Sequence, residues 1–212
     1  MTRKYLIQRC LEQVYGGKPT SDRAISDNIV NSYINDGIAI AAKAHWKENI
    51  QIEGIGFLNN SFYTTFKGLA LTEDLGGTGY WKCTLPQIPY GLGRTEGIKS
   101  VKIKDGTNPL SKTAILLNAD QWESCDSLPR PNGIFAKNEG TTLYFKTEGV
   151  NILFYQNTAT VTMASGGDST DLTSTLNVPD EWIGTIQQYV IGQLMAEKNQ
   201  RKDISNDGED NF

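Results

Sequence analysis

Apolar residues in this 212-residue chain keep one rhythm up to about residue 49, a second to about residue 165, and then the first again. That switch constrains the fold more than any motif does. A helix buries residues three and four apart, whereas a strand buries alternate ones. The spacing predicts a first helix over Arg3–Tyr15, with Ile7, Cys10, Leu11 and Val14 on one face and Gly16, Gly17 and Pro19 ending it. A second helix is predicted over Asp22–Glu48, with Thr20, Ser21 and Asp22 as capping residues. Its stripe is Ile25, Ile29, Tyr33, Gly37, Ile40 and Ala44, widened by Val30, Ile34, Ile38 and Ala41. A stripe that wide fits more than one neighbour.

After Asn49 come short runs rich in β-branched and aromatic residues: "IQIEGIGF", "SFYTTFKGLAL", "YWKCTLPQIPY", "GIKSVKIKDG", "KTAILL", "GIFAKN", "TTLYFKT", "VNILFY" and "ATVTM". Glycine, asparagine, aspartate or proline separates them, and the 21 glycines of the chain fit a turn-rich region. A polar loop follows Met163. Pro179 then opens a third helix to about Lys198, striped by Ile183, Ile186, Val190 and Leu194. The fold class expected is α+β. An N-terminal helical hairpin and the C-terminal helix form a helical bundle, with an inserted antiparallel β-domain (sandwich or barrel) and a flexible C-terminal tail. The divisions are 1–49, 50–177, 178–198 and 199–212.

Residues that carry chemistry are sparse. Cys10, Cys83 and Cys125 lie far apart, without a CxxC pair, and their odd number favours free thiols. The one histidine, His45, sits beside Trp46 on a helix, a setting more often structural than catalytic. Glu53, Glu73, Asp74, Glu96, Glu123 and Asp126 are scattered, and "GLGRTEG" lacks the spacing of a nucleotide loop. No enzyme activity, metal or cofactor is expected. The basic start has no apolar core or small-residue cleavage site, so a signal peptide is not expected, and no run is long enough to span a membrane. Trp81 and Trp122 would support a carbohydrate-binding module if exposed on a flat face. Lys99, Lys102 and Lys104 read either as a solvated edge or as a basic stripe for an anionic partner.

Charge is polarised toward the two ends, although the net value is only −4. Arg3, Lys4 and Arg9 lie in the first helix, and Asp203, Asp207, Glu209 and Asp210 close the chain. "KDISNDGEDNF" matches the opening offsets of an EF-hand loop, but the closing glutamate and exit helix of such a site do not follow. An acidic arm that docks on a partner is the expectation. Its contacts would be Ile204, Asp207 and Phe212, and the basic complement would be Arg3, Lys4 and Arg9.

"CTLPQIPYGLGRTEGIKSVKIKDG" (83–106) and "LNVPDEWIGTIQQYVIGQLMAEKNQRKDISNDGEDN" (176–211) resemble the head-to-tail connector proteins of crAss-like bacteriophages. "YLIQRCLEQV" and "DRAISDNIVNSYINDGIAIAAKAH" are similar to the first two helices of tail-adaptor proteins in short-tailed phages. The large β-region departs from those compact, mostly helical adaptors. The resemblance implies a virion structural protein at the head-to-tail junction, made in the host bacterial cytoplasm. It implies a homo-oligomeric ring, commonly a dodecamer, that docks on the portal protein and meets neighbouring connector or tail rings. Genomic DNA would pass through its bore, and no membrane is involved. The rival expectations are a virion-associated cell-wall hydrolase and a carbohydrate-binding β-module.

Overall fold

The computed structural model describes residues 1–17, 25–74, 81–92, 97–104, 111–124, 133–147 and 158–206, without the side chains of 147 and 200–206. The fold is α+β, with four helices and an eight-stranded mixed sheet among the described residues. The helices are α1 (Arg3–Tyr15), α2 (Asp27–Glu53), α3 (Ala119–Ser124) and α4 (Asp180–Asn206). The strands are β1 (Tyr63–Ala70), β2 (Thr72–Glu73), β3 (Trp81–Thr84), β4 (Ile98–Lys104), β5 (Ser111–Leu116), β6 (Ile134–Glu139), β7 (Thr142–Thr147) and β8 (Thr158–Ala164).

Helix α1 begins where Thr2 accepts a hydrogen bond from the Tyr5 amide and ends where Gly16 takes a left-handed conformation at φ 70°. Its buried face, Leu6, Ile7, Cys10, Leu11 and Val14, meets Val30, Ile34, Ile38 and Ala41 of α2 and Ile186, Val190 and Leu194 of α4 in one apolar core. Helices α2 and α4 pack tightly at Gly37, where a Cβ would lie 3.1 Å from the Ile186 side chain. Ile40, assigned to the apolar stripe from the sequence, is exposed instead.

Three helix boundaries differ from expectation. Ser26 caps α2, accepting from the Ile29 amide, and the capping residues expected at 20–22 lie outside the described residues. The helix also continues through "IQIE", which alternates like a strand, until Gly54 caps it at φ 72°. Ile50 and Ile52 are two apart, so a helix cannot bury both on one face, and both are exposed. Helix α4 runs on to Asn206, so part of the expected flexible tail is helical. Lysine, glutamine and arginine extend it without an apolar stripe, because they are good helix formers. Asp203 and Ser205 are therefore helical, unlike the opening of a calcium loop.

The sheet order is β1-β8-β4-β5-β6-β7-β3-β2, and β1 comes close to β3, so the sheet curls most of the way into a barrel. Its inner face buries Val101, Ile103, Leu143, Phe145, Val161 and Met163 in a second core. The pairing among the described strands is mainly antiparallel, as expected, with one exception: β5 pairs with β6 in parallel. A parallel pair needs a crossover, and α3 lies in that connection. The expected strand "VNILFY" lies outside the described residues.

Because Ile186 is buried where three helices meet, Ile186→Asp should destabilise the chain by at least ~3 kcal/mol, the cost of an unpaired buried charge added to lost packing. Urea unfolding followed by circular dichroism measures it, with Gln188→Asp on the exposed side of α4 expected to shift little.

Candidate interaction site

The basic start of the chain is not a continuous surface. Thr2 caps α1, so Arg3 becomes its first helical residue and turns inward, fully buried. Its Nη1 donates to Asn31 Oδ1 at 3.0 Å and to Asn35 Oδ1 at 2.6 Å, and Nη2 donates to the Gly166 carbonyl at 3.2 Å. Burial lowers its pKa, with Tyr90 and Asp168 opposing the shift. Arg3 thus belongs to the interior, which corrects its assignment as a partner-binding residue. Lys4 and Arg9 remain exposed. Ile204 is in α4 with its side chain undescribed, and Asp207 and Phe212 lie outside the described residues.

Around Arg3 the loop 165–177 is held by hydrogen bonds. Asn31 Nδ2 donates to the Ser169 carbonyl at 2.9 Å, and Gln87 Nε2 donates to the carbonyls of Ser165 (3.1 Å) and Gly167 (2.8 Å). Tyr90 Oη donates to the Ser165 carbonyl at 3.1 Å, and burial raises its pKa far above the usual phenol range. The α1 amides of Arg3 and Lys4, which have no helical partner, donate to the carbonyls of Ser174 and Leu172. At the other end of α1, Lys198 Nζ donates to the Val14 carbonyl at 2.9 Å and lies over the Tyr15 ring.

A different surface faces outward at the end of α2. Gly54 turns the chain back, and Gly56 then passes so close to Trp46 that a Cβ would fall 2.5 Å from the indole. Asn49 Nδ2 donates to the Phe57 carbonyl at 2.9 Å and lies 3.0 Å from His45 Nδ1. His45 packs edge-on to Phe57 and Trp182 and against Phe62, so the lone histidine braces this turn. On the braced turn Ile52 is 80% exposed and Ile55 71%, and Ile50 and Phe57 are also exposed. Beside it an open groove of about 610 Å³ is lined by Trp46, Phe57, Leu58, Asn60, Tyr63 and Lys99 among others. Lys99 donates to Asn60 Oδ1 and sits 5.1 Å from the Tyr63 ring centroid. This patch was missed in the sequence because its isoleucines alternate. The signal that could have found it is Gly54 and Gly56 flanking an isoleucine, which marks a turn rather than a strand.

Trp122 is buried and Trp81 half-buried. Among the described residues no group of three or more His, Cys, Asp or Glu side chains is placed to hold a metal ion, and no helix is long and apolar enough to cross a membrane. No protein-family model matches the chain, and no curated protein matches it.

Replacing Arg3 by Met would orphan the acceptors of Asn31, Asn35 and Gly166. Each buried orphan costs about 1–3 kcal/mol, partly offset because a cation need no longer be desolvated. Arg3→Met should therefore lower unfolding free energy by about 2–4 kcal/mol, and Lys4→Gln by less than about 0.5 kcal/mol.

Cys10 and Cys83 are free and buried, and burial pushes their thiols up to about 11 and about 12 from 9.0. The folded protein therefore keeps protons that the unfolded chain releases. This contribution is fully present below pH 9.0 and is lost as pH rises toward 11 and 12. Urea midpoints should fall above pH 9, and fall less steeply in the Cys10→Ala/Cys83→Ala variant.

Proposed function

We propose that the chain is a structural subunit of a phage head-to-tail connector. Copies of it form a ring that docks on the portal and joins capsid to tail, with the DNA passing through the bore. In this reading α1, α2 and α4 are the connector's helical bundle and the sheet is carried as an insertion. The resemblance of residues 83–106 and 176–211 to connector proteins supports it.

The observation that carries the reading is the apolar end of α2 and the turn that follows it. Ile50, Ile52, Ile55 and Phe57 are exposed, yet the turn presenting them is fixed by Trp46, His45 and Asn49. A braced apolar protrusion beside a groove suits insertion into another subunit. In a ring each contact is head-to-tail, so this surface meets a different one on its neighbour.

Light scattering on the purified chain, with negative-stain images, tests the proposal. Wild type should form closed rings, alone or on addition of purified portal. Ile52→Asp/Ile55→Asp should stay folded and lose at least about a hundredfold in assembly affinity, since burial of one isoleucine contributes about 1.5–3 kcal/mol. A wild type that stays monomeric with portal present would discard the connector reading.

A further inference from the structure

We infer that the outer face of β1, β8, β4 and β5 is a phosphate-binding surface for double-stranded DNA. These four neighbouring strands carry five lysines and not one carboxylate, and two of the five, Lys102 and Lys104, stand on this face; Lys112 pairs with Ile103 on the opposite one, and Lys67 falls in the irregular stretch of β1 between Phe66 and Leu69. The chain as a whole has net charge −4, so this concentration of one sign runs against its overall balance.

The pairing register shows what surrounds the lysines. Lys102 lies between Thr113 of β5 and Thr160 of β8, and Lys104 lies between Ser111 and Thr158. Ser100 pairs with Thr162, which pairs in turn with Thr65, and those two threonine hydroxyls are 2.9 Å apart. Opposed residues share a sheet face. The same face thus carries two exposed ammonium groups framed by hydroxyls. Lys99 does not join the row. The register shifts between Ile98 and Ser100, and Lys99 turns to Asn60 and Tyr63.

Edge protection does not explain this face. Lysines guard exposed sheet edges, but β4 pairs on both sides, with β8 and with β5. Ordinary solubility does not explain it either, because a solvated surface mixes both signs. A protein partner fits poorly: protein interfaces have an apolar centre and are depleted in lysine. Lysine with serine and threonine is the set that contacts phosphate oxygens, and it positions a duplex without reading its sequence. The placement of this face toward the bore rests on the connector reading. The affinity for duplex DNA rests only on the sheet.

The test is fluorescence anisotropy of a labelled 30-base-pair duplex with the purified full chain over a range of salt. Wild type should bind with Kd on the order of 10⁻⁴–10⁻⁵ M at low salt, equally for unrelated sequences. Lys102→Gln/Lys104→Gln should weaken binding and reduce the log–log salt slope by about 1.8, since each phosphate contact contributes about 0.9. Lys102→Arg/Lys104→Arg should keep the wild-type slope, and Lys4→Gln/Arg9→Gln should also leave it unchanged. An unchanged slope in the glutamine variant, or no binding by wild type at low salt, overturns the inference. So does equal competition by polyglutamate, which would identify an acidic protein as the partner. Ring formation is read separately by light scattering. Monomers that still bind DNA through Lys102 and Lys104 would sink the connector reading alone, and rings that ignore DNA would sink this one alone.

Discussion

A buried guanidinium ties the first turn of the chain to the loop that launches its last helix. Arg3 reaches Asn31 and Asn35 on α2 and the Gly166 carbonyl in the loop after β8. Taking a cation out of water is costly unless its donors are met; Nη1 and Nη2 find acceptors and Nε does not, so the acceptors that are present are tightly constrained in position. Gly166 could not be another residue without strain: its φ is 63°, and a Cβ would lie 2.7 Å from Ile38. The loop that leaves this point satisfies the open amides of α1 and delivers the chain to Pro179. Both this loop and the apolar stripe hold α4 against α1 and α2.

Long periodic segments were legible for a physical reason. Over the lengths of α1, α2 and α4, a sustained 3.6-residue repeat marks a helix, so their existence followed from spacing. Boundaries depended on single residues. Gly54, not the end of the stripe, stops α2, and α4 outlives its stripe because its next residues favour helix without needing burial. The parallel pairing of β5 with β6 has no local signature at all, since register and direction are settled by the crossover and by closure of the sheet. Arg3 was misread for a related reason. Counting charges near an end ignores that a cap at Thr2 fixes which way the next side chain points.

The two outward surfaces meet on one strand. Ile98 and Lys99 line the groove beside the apolar turn, and from Ser100 onward the same strand presents the lysine–hydroxyl face. The irregularity between Ile98 and Ser100 makes this division possible. Without the extra residue, Lys99 would be in register on the sheet and nothing cationic would reach Tyr63. A rigid strand therefore couples the proposed subunit contact to the proposed phosphate surface. Any ring closed through the groove would present each copy of Lys102 and Lys104 in the same relation to its axis. In the proposed ring, two ammonium groups per subunit would bind a duplex weakly, but the ring would repeat them, and linked weak contacts add without fixing any one phosphate. Weak, repeated and sequence-independent attraction is the combination that lets DNA be held in register with a channel and still move along it.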